Sequence, residues 1–87
     1  MTNLFKENEL TELRQGLDRR GISYQIERMR QSPSRTGTMV RIPYGLDIWE
    51  AWFFDDGHIE LAEFRLTGDV ETDGVTAASI LSKLHIL

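Results

Sequence analysis

The sequence predicts an α+β fold of order α-β-β-β-β-α, a four-stranded antiparallel meander packed by an N-terminal and a C-terminal helix. Two observations predict the helices and the strands. Both ends of the chain repeat apolar residues at spacings of three and four, which is helical periodicity. The middle alternates apolar and polar residues in short runs that are separated by glycine-containing turns, which is typical of hairpins. At 87 residues the chain is expected to form one domain, residues 1–87.

The composition excludes several classes of protein. The chain has no cysteine, so it has no disulfide framework, thiolate metal site or cysteine nucleophile. Hydrophobic residues make up 40% and charged residues 28%, as in an ordinary globular domain. No run approaches the roughly 20 apolar residues of a membrane span. The first ten residues turn polar too soon for a signal peptide, so we expect a cytoplasmic protein without membrane contact.

The first helix is expected over residues 4–20. Its apolar stripe consists of Leu10, Leu13 and Leu17. Gly21 suits the left-handed position after the helix, and Ile22 would complete a Schellman ending against the last turn. Gly16 inside the helix costs up to about 1 kcal/mol relative to alanine.

The first hairpin is expected to be short. Residues 22–27 alternate as a strand, and the alternation fails over residues 28–30, where a bulge or a twisted strand end is expected. Residues 31–37 have the composition of a loop. The second strand covers residues 38–42, with Val40 and Ile42 on one face. Pro43 marks a strand end or an edge, since proline cannot donate to a strand ladder.

The second hairpin, residues 48–54 and 58–66, allows two registers. A two-residue turn would place Glu50 opposite Glu63, a repulsive pair. A three-residue loop, with Gly57 in the left-handed bulge position, shifts the pairing by one and is preferred. One face then carries Trp49, Ala51, Phe53, Ile59, Leu61 and Glu63. The other face carries Glu50, Trp52, Phe54, His58, Glu60, Ala62 and Phe64.

Residues 67–74 are expected to form a polar loop, and the last helix is expected to begin near Thr72 or Asp73. Its apolar stripe consists of Ala77, Ile80, Leu81, Leu84 and Leu87. The alternating acids Asp69, Glu71 and Asp73 resemble the opening of a calcium loop. The bidentate acid expected at the twelfth position of such a loop is replaced by Ile80. We therefore expect neither a metal ion nor a cofactor.

The net charge of -4 hides a strong asymmetry along the chain. Residues 1–13 carry a charge of -2, residues 14–41 carry +5, and residues 42–87 carry -7. The basic segment could bind anions or nucleic acid through Arg28, Arg30, Arg35 and Arg41. Alternatively, these arginines pair with the acidic later strands. We favour pairing because the chain is acidic overall and its aromatic residues lie away from the arginines.

Catalytic motifs are absent from the sequence, which contains no G-x-S-x-G, P-loop or G-x-G-x-x-G. His58 lies near Asp55, Asp56 and Glu60, as a general base or metal ligand would. A solvated hairpin tip accounts for the same pattern. Glu50, Glu60 and Glu63 could form a carboxylate pair, but an exposed strand face accounts for them equally well. We expect that the protein is not an enzyme.

The second face of the late hairpin predicts a partner-binding surface. Large apolar side chains on an uncovered face mark interaction sites, and tryptophan is common in their centres. The expected contact residues are Trp52, Phe54, Phe64, Glu50, Glu60 and His58. The alternative is that a terminal helix covers this face.

We therefore expect a small non-catalytic protein-binding module, of inhibitor or immunity type, whose partner has a basic surface. A homodimer through the aromatic face would use the same residues. Phage-encoded inhibitors of host defence, including anti-CRISPR proteins, contain short acidic domains, and the likeness is one of size and charge alone. The alternative function is nucleic-acid or anion binding through the four arginines.

Overall fold

The computed structural model describes residues 6–33 and 35–84. Its elements are α1 (Glu7–Arg19), β1 (Gln25–Ser32), β2 (Arg35–Tyr44), β3 (Asp47–Phe54), β4 (Ile59–Phe64), β5 (Val70–Asp73) and α2 (Ala77–Lys83). The five strands form one antiparallel sheet in the order of the chain. The predicted α+β class and the meander are confirmed. The sheet has one strand more than the four expected.

The additional strand is β5, which the sequence suggested was loop. Its four residues pair with the free edge of β4, from Glu63↔Val70 to Glu60↔Asp73. The segment contains a single apolar residue, so its own pattern is too weak to show a strand, and the edge of β4 supplies the pairing. Because β5 uses these residues, α2 begins at Ala77 instead of near Thr72 or Asp73.

The helix boundaries follow local signals. At the end of α1, Gly21 has φ 67° and the Ile22 N–H donates to the Leu17 carbonyl at 3.0 Å, which confirms the Schellman ending. The expected start at Leu4 lies outside the described residues. Thr76 caps α2 through a reciprocal pair of hydrogen bonds with Ser79.

Gly16 has a packing role in the contact between the two helices. It is buried, and a Cβ atom at this position would lie 2.4 Å from Cδ1 of Leu81 in α2. Alanine would therefore push the Leu81 side chain away from its present position. The missing side chain allows the two helices to approach closely.

The first hairpin is longer than predicted. β1 begins at Gln25, three residues later than expected, and continues through Arg28 and Arg30. The expected loop of residues 31–37 is reduced to the connection between Ser32 and Arg35. A register shift lies between Arg30 and Ser32, at the end of the stretch where the alternation was expected to fail. The strand persists despite its charged sequence because β2 provides a full ladder beside it. Pro43 does not end the second strand, because β2 continues to Tyr44 and Pro43 is paired with Ile48 of β3. The pairing of β2 with β1 stops at Arg41, so Pro43 lies where β2 has a free edge.

The second hairpin adopts the three-residue loop and its register. Gly57 has φ 91°, its N–H donates to the Phe54 carbonyl at 2.9 Å, and the Phe54 N–H donates to the His58 carbonyl at 2.9 Å. Trp52 is consequently paired with Glu60 and not with Leu61. The predicted division of this hairpin into two faces is confirmed.

Both helices pack on one face of the sheet. The core there contains Leu13, Leu17, Val40, Ile42, Trp49, Ala51, Phe53, Ile59, Leu61, Val75, Ala77, Ile80 and Leu84. The carboxylate of Glu63 is buried at the margin of this core, where Arg65 donates to Oε1 and Lys83 Nζ lies 3.8 Å from Oε2. The opposite face has its own small cluster of Met39, Trp52 and Phe54, with Met29 packed against it.

Within residues 6–33 and 35–84, no helix is both long enough and apolar enough to cross a membrane.

Candidate functional site

Two of the three aromatic residues predicted to form an open patch are buried. Trp52 is 9% exposed and Phe54 is 2% exposed, whereas Phe64 is 41% exposed. The expectation of an uncovered aromatic face is therefore wrong for Trp52 and Phe54. Their orientation was predicted correctly, since both point away from the helices.

Side chains of the neighbouring strands provide this cover. The Arg35 guanidinium lies 3.9 Å from the centre of the Phe54 ring, and the Trp52 ring stacks on Phe54 with a centroid separation of 5.5 Å. Met29 and Met39 pack against the same cluster. Neither a helix nor a second protein is needed to bury these rings.

An open groove of about 340 Å³ lies on this face. Its lining residues are Gln31, Glu50, Trp52, Glu60, Leu61, Ala62, Phe64, Glu71, Thr72 and Asp73. Gln31 belongs to β1, whereas Thr72 and Asp73 belong to β5. A single groove reaches both edge strands because the sheet is twisted and curved.

Four carboxylates border the groove, and two of them are paired with arginine. Arg41 lies 3.1 Å from Glu50, its Cα partner across β2 and β3. Arg35 lies 3.0 Å from Glu60. Glu71 forms no ion pair with any described residue. The groove is therefore acidic, and its excess negative charge lies on the β5 side.

The four arginines of the alternative interpretation do not form one surface. Because side chains alternate along a strand, Arg28 and Arg30 project to the helix-bearing face, and Arg35 and Arg41 project to the groove face. This arrangement does not favour nucleic-acid binding, which uses a continuous basic surface.

Arg28 is also strongly engaged. It donates two hydrogen bonds of 2.8 Å to the Asp55 carboxylate and a third of 3.2 Å to Thr38. The side-chain hydrogen bonds lower the pKa of Asp55 and raise the pKa of Arg28. Three of the four arginines thus pair with acids of the second hairpin, as the preferred interpretation expected. Arg30 is exposed and has no ion-pair partner among the described residues.

His58 has different neighbours from those next to it in sequence. Its Nε2 atom lies 3.2 Å from Glu60 Oε2 and contacts the Asp73 carboxylate. Asp56 only accepts a hydrogen bond from the His58 backbone N–H, at 2.9 Å. Asp55 is turned toward Arg28 on the other face of the sheet.

Asp73 is the site residue that the sequence analysis missed. It was assigned to a loop, or to the start of α2, and instead it faces Glu60 across β4 and β5. Glu71 and Asp73 lie on an extended strand and do not curl around a common point, as the acids that open a calcium loop would. The pattern Val-Glu-Thr-Asp has one apolar residue, so even with Gly74 after it the sequence signal for that strand is weak.

Comparison of the chain with protein-family models, with curated proteins and with solved structures found no significant match.

Proposed function

We propose that this protein is a non-catalytic binding module whose groove receives a basic, partly apolar segment of another protein. The observation that carries the proposal is the acidic groove on the helix-free face of the sheet. Concave sites with an apolar floor and a few polar groups are the usual form of ligand sites in proteins. Trp52, Ala62 and Phe64 contribute the apolar surface here.

The groove is apolar at one end and acidic at the other, and this difference defines the chemistry of the segment it would bind. At one end Phe64 and its Cα partner Ile48 are 41% and 44% exposed. Toward the other end lie Glu60 and Asp73. A segment with an apolar side chain near Phe64 and lysine or arginine near Asp73 would match both ends. Opposite charges of this kind speed association and select among partners.

An inhibitor or immunity-type role is consistent with this chemistry. A compact acidic domain can occupy the basic working surface of another protein and prevent its use. The groove is lined by strands β1, β3, β4 and β5, so its contact groups are held in place before binding. Such preorganisation reduces the entropy cost of association.

The test is fluorescence anisotropy with synthetic peptides in which lysine or arginine alternates with leucine. Peptides with glutamate in place of the basic residues serve as the reference. We expect the basic peptides to bind and binding to weaken as salt increases. Phe64→Ser and Glu71→Lys should each weaken binding at least about tenfold, because they remove the apolar contact and reverse a groove charge.

Glu12→Lys is the matched control, since Glu12 is an exposed acid on α1 and the charge change is the same as in Glu71→Lys. If Glu71→Lys and Glu12→Lys lose peptide affinity equally, the loss reflects net charge alone, and the groove is not the binding site. Sedimentation of the wild-type protein separates a homodimer from a complex with another protein. Binding to duplex or single-stranded nucleic acid that is lost in Arg30→Ala would favour the alternative function.

A further inference from the structure

Three side chains of metal-ligating type converge at the end of the groove near the β3–β4 loop. They are His58, Glu60 and Asp73, and one ligand atom from each lies within 4.8 Å of the others. Glu60 and Asp73 are Cα partners, and His58 precedes Glu60 by two residues. Because side chains alternate along a strand, all three project from the same face.

We propose that His58, Glu60 and Asp73 bind a divalent transition-metal cation, with Zn²⁺ as the ion of choice. One imidazole and two carboxylates suit Zn²⁺, whereas Mg²⁺ and Ca²⁺ prefer oxygen ligands alone. Zinc bonds to nitrogen and oxygen are about 2.0–2.2 Å long, so two ligand atoms of a tetrahedral site lie roughly 3.4 Å apart. The separation of 3.2 Å between His58 Nε2 and Glu60 Oε2 is close to that value. The Asp73 carboxylate is in direct contact with His58 Nε2, so it must move outward to admit the ion, and its side chain is exposed enough to do so.

The surroundings hold two of these ligands in place. The Phe54 ring stacks on the His58 imidazole, with a centroid separation of 6.2 Å and an interplanar angle of 28°. Arg35 donates at 3.0 Å to Glu60 Oε2, the same oxygen that faces His58 Nε2, and so fixes the orientation of the Glu60 carboxylate. Outer contacts of this kind orient metal ligands and tune their affinity.

The site is accessible to a cation from solution. The side chains of His58, Glu60 and Asp73 are 35%, 30% and 71% exposed. Three protein ligands leave a fourth position of a tetrahedral zinc ion for water or a group on a binding partner. This inference does not depend on the proposed peptide binding, because it needs only the three ligands and free Zn²⁺.

Isothermal titration calorimetry of the full chain with zinc chloride tests the proposal. We expect one Zn²⁺ per chain and no heat with Mg²⁺. His58→Ala and Asp73→Asn should each weaken zinc binding at least about 100-fold. Loss of a group that only hydrogen-bonds to a metal ligand already lowers metal affinity by up to about 100-fold, and loss of the ligand itself should lower it at least as much.

Two matched controls distinguish the loss of a ligand from the loss of a nearby charge or of a different histidine. Glu71→Gln removes a neighbouring negative charge from the same strand but no ligand, and His85→Ala removes the other histidine of the chain. Both should bind Zn²⁺ within about twofold of the wild type. Co²⁺ provides a second readout, because a nitrogen-and-oxygen tetrahedral site gives it a visible absorption band that should disappear in His58→Ala.

The proposal is overturned if millimolar Zn²⁺ gives no heat with the wild type, or if His58→Ala and Asp73→Asn bind as the wild type does. Loss of binding in His85→Ala would also overturn it, since the ion would then lie elsewhere. Far-UV circular dichroism of each variant establishes that it is folded. Asp73→Asn keeps the shape of an exposed side chain and provides the second test if His58→Ala does not fold.

Discussion

Replacement of Glu63 by methionine tests how the fold tolerates a buried charge. The Glu63 side chain is fully buried, and Oε2 has no hydrogen-bond partner among the described residues. Arg65 donates to the other oxygen, and Lys83 Nζ lies 3.8 Å from Oε2. The two cations are themselves 37% and 41% exposed, so they can be hydrated again if the carboxylate is removed.

The opposing energies are of similar size. A charge pair about 4 Å apart gains about 4 kcal/mol at an effective dielectric constant near 20. Removal of a carboxylate from water costs several kcal/mol, and an apolar replacement of similar shape often leaves stability unchanged or raises it by about 1–4 kcal/mol. Methionine is unbranched like glutamate and adapts to irregular space. We therefore expect Glu63→Met to be between equal to the wild type and about 2 kcal/mol more stable.

The assay is urea unfolding at pH 7, with the midpoint and the slope both fitted. Glu63→Ala serves as a comparison and should be less stable than Glu63→Met, because it leaves a cavity. Glu63→Gln should also be less stable than Glu63→Met, since it places amide N–H groups beside two cations. A loss of more than about 2 kcal/mol in Glu63→Met at an unchanged slope would refute the reasoning. The attraction of Glu63 to Arg65 and Lys83 would then exceed the cost of removing the Glu63 carboxylate from water.

Three further predictions concern the sheet and its groove. Asp55→Asn should lower the free energy of unfolding at pH 7 by at most about 1 kcal/mol, because the Arg28 and Asp55 side chains are half exposed. Since the pKa of Asp55 is lowered in the folded state, this loss of stability should disappear as pH falls through that pKa. An equal loss at pH 2 and pH 7 in urea unfolding would contradict this pH dependence. Gly37→Ala should lower the free energy of unfolding by about 1–3 kcal/mol in the same assay, because its Cβ would lie 2.6 Å from the Phe53 carbonyl oxygen. Unchanged stability would contradict this close contact. Saturating Zn²⁺ should weaken the binding of basic peptides in the anisotropy assay, because the ion neutralises Glu60 and Asp73. Equal peptide affinity with and without Zn²⁺ would show that zinc binding and peptide binding are not coupled.

The sequence was sufficient wherever a local signal decided the structure. The register of the second hairpin was predicted from Gly57, from the repulsion between Glu50 and Glu63 in the other register, and from the cleaner apolar face of the preferred one. The end of α1 was predicted from Gly21 and Ile22. These are short-range effects of backbone conformation and neighbouring charge. They can be read without knowing what lies across the sheet.

The sequence was insufficient where a distant partner decided the outcome. β5 forms because β4 has an unpaired edge, which four mostly polar residues cannot reveal. Phe54 is buried by Arg35, 19 positions earlier in the chain, and this cover depends on the pairing of β2 with β3. The contact between His58 and Asp73 requires both β5 and its register, so the candidate metal site could not be predicted.

The order of the strands has a consequence for how the molecule folds. Every strand pairs with its neighbour in sequence, so the whole sheet can grow by successive hairpins without closing a long loop. Topologies dominated by such local contacts fold faster than those with distant pairings. The contact between α1 and α2, made through Gly16 and Leu81, joins segments far apart in the chain. The search for the native state is therefore slowest at the helix layer, while the strands that line the groove can assemble early.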